Sequence, residues 1–529
     1  DISTDADTSA DADAANDSLA DADVPEPSCP VYHKLCGGIC VNTTVNPLHC
    51  GACDEACDPG QVCSGGTCSS ECLPGLLACG QTCVDPLTDP AYCGGCSTIC
   101  EVGEGCVNGS CKPAIPVGPG PANCDGFGPP IVVPTPGGDV CLSETAQVSF
   151  TWGLCSCAEV ALSNQITTDA YDSTQGGYAP GGVGGGVGVR GKFSTSNKVA
   201  IGGTLWVSGS GGAQLGNTND IAVNLHVGGP LATGGASTVG GDAWVVGTVT
   251  ANQSLAIQGT LHHTQAAAIN GPVTHGALVK EAVSVASPCP CEPEDLVPVV
   301  AIVAAHTTDN DNATIGLSAD ALINPSGPVS LTLPCGRYYL SGIKSSQDIS
   351  IVATGRTALF IDGVIETSGK LQITPSPTGE LDVLIAGKLD LSNELRLGSP
   401  AFPALLRVYV GSTEGITLSN KLTVGAFVYA AAGPVRLSNQ LDLYGGLVVG
   451  SLDASNKLQI HYDRAVLQSG SACPDPSGLT CDVCGDCGNQ ACTAEGVCGA
   501  CSDGADCCPP LICQQGTCVS SGGGFTNGP

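Results

Sequence analysis

The chain of 529 residues carries 17 Lys and Arg against 49 Asp and Glu, a formal net charge of −32. That balance excludes nucleic acid as a partner, because phosphates are held by Lys and Arg that displace counterions, and it disfavours anionic membrane surfaces. Aromatic residues make up only 4% and glycines number 74, which suits tight turns and small strand residues better than a helical enzyme.

The 34 cysteines are an even number and sit mostly in two clusters. Small Cys-dense modules are stapled by disulfides in oxidising compartments, so an extracellular or outer cell-surface location is expected. No run of about 18 apolar residues occurs, so no transmembrane helix is expected. The chain lacks Met and starts at Asp1, which reads as a processed form whose export signal is gone; a lipid anchor would have to lie upstream.

Residues 1–27 place Asp at 1, 5, 7, 11, 13, 17, 21 and 23 among Ala, Ser and Thr. No core can form and the charges repel, so this is an extended acidic spacer. It contains no Gly to turn the carboxylates around one ion, so calcium is not expected.

Residues 28–70 and 71–112 are two copies of one module. Cys29, Cys36, Cys40, Cys50, Cys53, Cys57, Cys63 and Cys68 recur as Cys72, Cys79, Cys83, Cys93, Cys96, Cys100, Cys106 and Cys111, each displaced by 43 residues. Eight cysteines in so short a stretch leave little room for an apolar core, so disulfides must define each module. The ligand-like Cys50-x2-Cys53 and Cys93-x2-Cys96 keep zinc as the rival. Pairing is open from sequence alone.

Residues 113–145 are a Pro/Gly linker in which Cys124 and Cys141 can pin the next domain. Residues 146–285 and 336–468 carry a repeated phrase: a polar corner, then apolar, polar, apolar. Copies include Ser196–Ile201, Thr218–Val223 and Asn252–Ile257, then Ser346–Ile351, Ser368–Ile373, Ser392–Leu397, Ser419–Val424, Ser438–Leu443 and Ser455–Ile460. First apolar residues in the second block fall at 349, 371, 395, 422, 441 and 458, in steps of 22, 24, 27, 19 and 17. Period-2 alternation at near-coil intervals predicts a mainly β fold, a parallel β-helix of about ten coils and roughly 45 Å. A sandwich or open barrel is the alternative. Corner Asn residues are expected to tolerate left-handed angles and stack on their copies. Residues 170–191, rich in Gly and Tyr, are expected to form a mobile loop. Residues 286–335 connect the blocks; the apolar run from Leu296 to Ala305 predicts one helix that packs along the solenoid or caps it. The phrase at Ser455–Ile460 reads as the last full coil before a cap.

Residues 469–519 form a second disulfide-rich module. Cys498, Cys501, Cys507, Cys508, Cys513 and Cys518 follow the order of cystine-knot miniproteins, preceded by Cys481, Cys484, Cys487 and Cys492. Cys155, Cys157, Cys289, Cys291, Cys335 and Cys473 complete the set with Cys124 and Cys141. Groups of 16, 10 and 8 are each even, so no free thiol is required. Residues 520–529 are a flexible tail.

The twin modules resemble the Cys-rich repeats of secreted proteins and lipoproteins from large-genome Gram-negative bacteria, which implies an envelope setting and a spacer or interaction role. Phrases such as Val239-Gly240-Gly241-Asp242-Ala243-Trp244-Val245 resemble bactofilin-type polymer-forming β-helices. Leu333-Pro334-Cys335-Gly336-Arg337-Tyr338-Tyr339 and Ile460-His461-Tyr462-Asp463 resemble β-helical domains of bacterial surface and pilus-associated proteins. These resemblances imply no catalytic residues.

Chemistry has few footholds. A glycan-cleaving site would need carboxylate pairs or a basic group on one face. The candidates are Asp382, Asp390, Asp442, Glu394, Lys388, Arg396 and Arg407, all readable as ordinary outward positions of alternating strands. His262, His263 and His275 could hold a metal, but they lack a supporting carboxylate or Cys at suitable spacing and read as solvated turn residues. Cys155-x-Cys157 and Cys289-x-Cys291 could be redox pairs, but structural disulfides to separate partners are expected. Asn42-Thr43-Thr44 and Asn108-Gly109-Ser110 match glycosylation acceptors. No catalytic, cofactor-binding or metal residues are expected. The function expected is that of a non-enzymatic extracellular structural protein, a surface-fibre subunit or an adhesin. It would associate with itself or with surface proteins and glycans. The alternative is a secreted β-helical protein that degrades or binds polysaccharide.

Overall fold

A computed structural model describes residues 29–118 and 138–468, apart from 30, 38, 378, 392 and 393, together with 120, 132–135 and short strands between 491 and 520. The expectations for the acidic spacer, for the pairing of Cys124, Cys141 and the cysteines from 473 onward, and for the tail fall on residues or side chains outside those described.

Residues 154–281 and 329–463 form a parallel β-solenoid of about 14 turns. Each coil contributes three short strands, as in Arg356–Ile361, Ile365–Thr367 and Leu371–Pro375. Each strand lies parallel to its counterpart one coil on: Ile343 beside Ile365, Ile365 beside Leu389, Leu389 beside Ile416. Their inward side chains are buried and fill the rod with one apolar column. At roughly 4.8 Å per coil the rod is about 60 Å long, longer than the composition of phrases suggested. The parallel ladders rule out the sandwich and the open barrel.

The coils do not stack in chain order. Leu458–Asp463 pairs with Ile166–Tyr171, and Leu154–Ser156 pairs with both Leu447–Val449 and Val187–Val189. The rod therefore climbs from 329 to 463, continues through 154–171, and ends at 273–281. The phrase at Ser455–Ile460 is a mid-rod coil, not a terminal one.

The lower end is closed. Ala114 bridges Ser330, the Ile115 amide donates to the Ser330 carbonyl at 2.7 Å, and Ile315, Leu317 and Leu322 bury themselves against the last core layer. The upper end is different: in Val273–Glu281 most side chains are exposed, Leu278 and Val279 at 38% each.

A second apolar layer lies outside one ladder of the rod, the strands from Gly336–Leu340 and Arg356–Ile361 up to residues 447–449. Phe360, Leu384, Tyr409 and Tyr429 face outward there, beneath Tyr32, Phe150, Phe402 and the helix Val299–Ala305. Burial on both faces explains why these strands read as unbroken apolar runs. The predicted helix thus packs along the rod, burying Val299, Ile302 and Val303. Before it, residues 282–298 descend from the upper end as a strap. Trp206 and Trp152 donate their ring N–H groups to the Ala286 and Pro288 carbonyls at 2.7 and 3.0 Å. Cys155–Cys289 and Cys157–Cys291 staple the strap to the coil at the junction.

The loop expected to be mobile is instead tied across that junction. Ala170 donates its amide to the Gly182 carbonyl, and Ser173 is fully buried. A Cβ at Gly182 would lie 1.9 Å from the Ala170 oxygen, so the close approach needs glycine. The corner Asn residues meet the expectation only in part. No described corner Asn has a positive φ. Asn439 and Asn456 accept the amide of the next residue at 2.9 Å, and Asn197 bonds Asn164 in the neighbouring coil.

Candidate functional site

All seven charged candidates are paired. Asp382 and Arg407 are not solvent-facing: both are fully buried in the second layer. Arg407 donates its Nε and one terminal nitrogen to Asp382 at 2.6 and 2.8 Å, and a terminal N–H to Glu380 at 2.5 Å. Burial alone would push the Glu380 carboxyl up, but Arg407 and Arg356 hold it below its usual range. The remaining pairs lie nearer the surface: Lys388 with Asp390 at 3.3 Å, Lys370 with Glu394 at 2.9 Å, Arg396 with Asp85 at 2.7 Å, and Asp442 with His461. Asp390 also lines an open polar groove of about 240 Å³ with Lys388, Glu414, Thr417 and Arg436.

A cluster with His and Tyr does form, at the junction of the blocks, and sequence reading missed it. His461 sits between Asp169 at 2.7 Å and Asp442 at 3.1 Å. Tyr178 donates its hydroxyl to Asp169 at 2.7 Å and lies over the imidazole, ring centres 4.2 Å apart. Burial disfavours the charged imidazole, but the two carboxylates outweigh it and raise His461 to about 9. Both ring nitrogens are engaged, so the imidazolium acts as a pin between coils distant in sequence. Beside it, Asp463 accepts from the Ser173 amide and hydroxyl at 2.9 and 2.5 Å, and Tyr32 of the first module contacts that hydroxyl at 2.7 Å. Desolvation, with weaker opposition from these hydrogen bonds, pushes Asp463 up to about 6.

The three histidines expected in solvated turns are on strands instead, and they do not converge as metal ligands would. His262 points outward and meets Glu281 at 2.6 Å; His263 points into the rod against the Gly247 carbonyl; His275 lies on another side of the coil. His262 instead ends a stack of Trp206, His226, Trp244 and His262, with ring centres 3.8, 4.3 and 4.9 Å apart. Burial between the indoles lowers His226 to about 4. The ring faces cover each other, so this column stabilises the coils and offers its edges to solvent.

In the modules, Cys29–Cys40, Cys36–Cys53, Cys50–Cys63 and Cys57–Cys68 are repeated as Cys72–Cys83, Cys79–Cys96, Cys93–Cys106 and Cys100–Cys111. The zinc-like pairs Cys50/Cys53 and Cys93/Cys96 are thus divided between different bonds, and no free cysteine occurs among the described residues. Both modules lie against the rod. Asn42 donates its side-chain N–H to the Pro377 carbonyl at 2.7 Å and is buried, so its acceptor motif is not presented to solvent. Asp85 is held by Arg396, and Tyr32 meets Phe402 edge-on at 5.5 Å.

Together the coils and the staples define a disulfide-rich β-solenoid protein. Residues 296–469 match a family described as a domain of unknown function (DUF7305), and residues 13–71 match the Stigma-specific STIG1-like protein family. No curated protein and no solved structure matches the chain. Such disulfide density is that of secreted proteins, and among the described residues no helix is long and apolar enough to cross a membrane.

Proposed function

We propose that this protein is a non-enzymatic extracellular rod, an adhesin or a subunit of a surface fibre, as the resemblance to bacterial surface and pilus-associated β-helices implies. The observation that carries this reading is the polarity of the rod: one end closed by buried side chains, the other ending in the exposed strand Val273–Glu281. A bare parallel edge offers unpaired backbone groups to another strand. Residues 187–281 carry four basic and three acidic side chains, so this half lacks the net negative charge that would keep copies of the chain apart. The closed end favours single or paired rods over long filaments, and hence an adhesin.

Negative-stain imaging of the full chain tests this. Single rods about 60 Å long, or end-to-end pairs, support the adhesin; long filaments select the fibre subunit. Glycan cleavage lost on replacing Asp390 and Glu414 would overturn the non-enzymatic reading.

A further inference from the structure

The second Cys-rich module covers a row of polar side chains on the lower coils. Ser330, Ser350, Gln372 and Arg396 occupy the same register in four successive strands. The first three are at most 1% exposed. Among the described residues, the Ser330 and Ser350 hydroxyls and both ends of the Gln372 amide have no hydrogen-bond partner, nor has the nearby Thr374 hydroxyl. Leaving a buried hydroxyl or amide unmet costs about 1–3 kcal/mol, more than the roughly 1 kcal/mol that a made hydrogen bond contributes. Higher in the rod the corresponding positions, Asp442 and Gln459, remain polar and only part-buried. The covered row therefore has the make-up of a face that meets polar partners, and the module fails to satisfy it.

One member of the row is satisfied. Arg396 grips Asp85 of the module through two nitrogens at 2.7 and 3.4 Å, the two-point geometry by which guanidinium recognises a carboxylate. The module comes close because residue 105 is glycine: a Cβ there would lie 2.4 Å from the Ser330 hydroxyl oxygen.

We propose that Ser330, Ser350, Gln372 and Arg396 form a binding track for a uronate-bearing polysaccharide, and that the second Cys-rich module closes it with Asp85 in place of a sugar carboxylate. The track spans three coil steps, about 14 Å at the β-strand spacing. It offers two hydroxyls, then an amide, then a guanidinium at one end, which fits a chain of hydroxyl-rich units carrying an acid group. This deepens the adhesive reading by naming its ligand class. Imaging tests the rod and glycan capture tests the track, so the two fail separately.

The test uses the full chain with Asp85→Ala, Gly105→Leu and both together, binding polygalacturonate and alginate, with dextran and poly-glutamate as controls. Hydrogen exchange at 349–353 and 371–375 reports uncovering. The wild type should bind weakly and the variants at least tenfold more tightly. Adding Gln372→Ala or Arg396→Ala should remove the gain, and dextran and poly-glutamate should gain nothing. The proposal fails if the uncovered track gains no affinity, if the gain survives loss of Gln372 and Arg396, if a control polymer gains equally, or if the module stays seated in the double variant.

Discussion

Removing both disulfides of the strap should cost far more than twice the loss of either one. Each bond alone closes a loop with a sequence separation of 134 residues. The chain-entropy relation assigns about 5 kcal/mol to a loop of that size. Once one bond exists, the other closes only a ring of about six residues, and the same relation gives about 2 kcal/mol. Replacing Cys157 and Cys291 by Ala should therefore cost about 2 kcal/mol, while replacing all four cysteines should cost about 7 kcal/mol. The excess of roughly 3 kcal/mol over two independent losses is the signature of two adjacent staples that close nearly the same loop. Guanidinium titration of the two paired variants and the four-cysteine variant measures it, with hydrogen exchange at 154–171 locating the opening. Simple additivity would refute the argument, because it would mean that the crossover is held closed without its bonds.

Arg407→Ala should destabilise the chain by about 3–5 kcal/mol, because it strands Asp382 and Glu380 without their counter-charge; thermal melts would show it. His461 titrates at about 9 in the fold, above its ordinary value of roughly 6.5. Its contribution, about 3 kcal/mol, is complete below that ordinary value and lost as pH rises through about 9; His461→Gln should flatten this part of a denaturation–pH profile. Asp463 changes stability in the same direction with pH, but in a lower window. Its folded value near 6 lies above the usual aspartate value, so the fold binds its proton more tightly, and this group lowers stability as pH rises from about 4 to 6. Asp463→Asn should keep the Ser173 contacts and be at least as stable as the wild type at pH about 8, measured by chemical denaturation.

The coil interior was legible because its rule is local: an inward apolar position every second residue, seen in Leu458 and Ile460 or Leu371 and Ile373. Coil order was not legible. Stacking Leu458 on Ile166 uses the same side chains as stacking it on any other coil, so the pattern carries no address. Register could slip for the same reason. Ile201 lies beside Ile221, which puts Val199 beside the buried Asn219, two residues off the match of phrases. Asn219 is tolerated inside because it donates to the Ser237 hydroxyl of the next coil at 2.8 Å. Alternation also placed Asp382 and Arg407 outward, correctly in direction but not in surroundings. The unbroken apolar runs Ala358–Ile361 and Val408–Val410 on the same ladder were the available sign that something covers that side. The junction pin had no local sign, since Asp169 and His461 are 292 residues apart.

The reversed stacking has a consequence for how the chain is made. Residues 154–171 leave the ribosome early, yet the strands beneath them, 447–463, are among the last coil residues to appear. Until then the early coils can grow in one direction only, with their lower edge bare. Any machinery that moves this chain before synthesis is complete therefore handles a half-built rod with an open seam. The seam closes when His461, held on its other side by Asp442, arrives to meet Asp169.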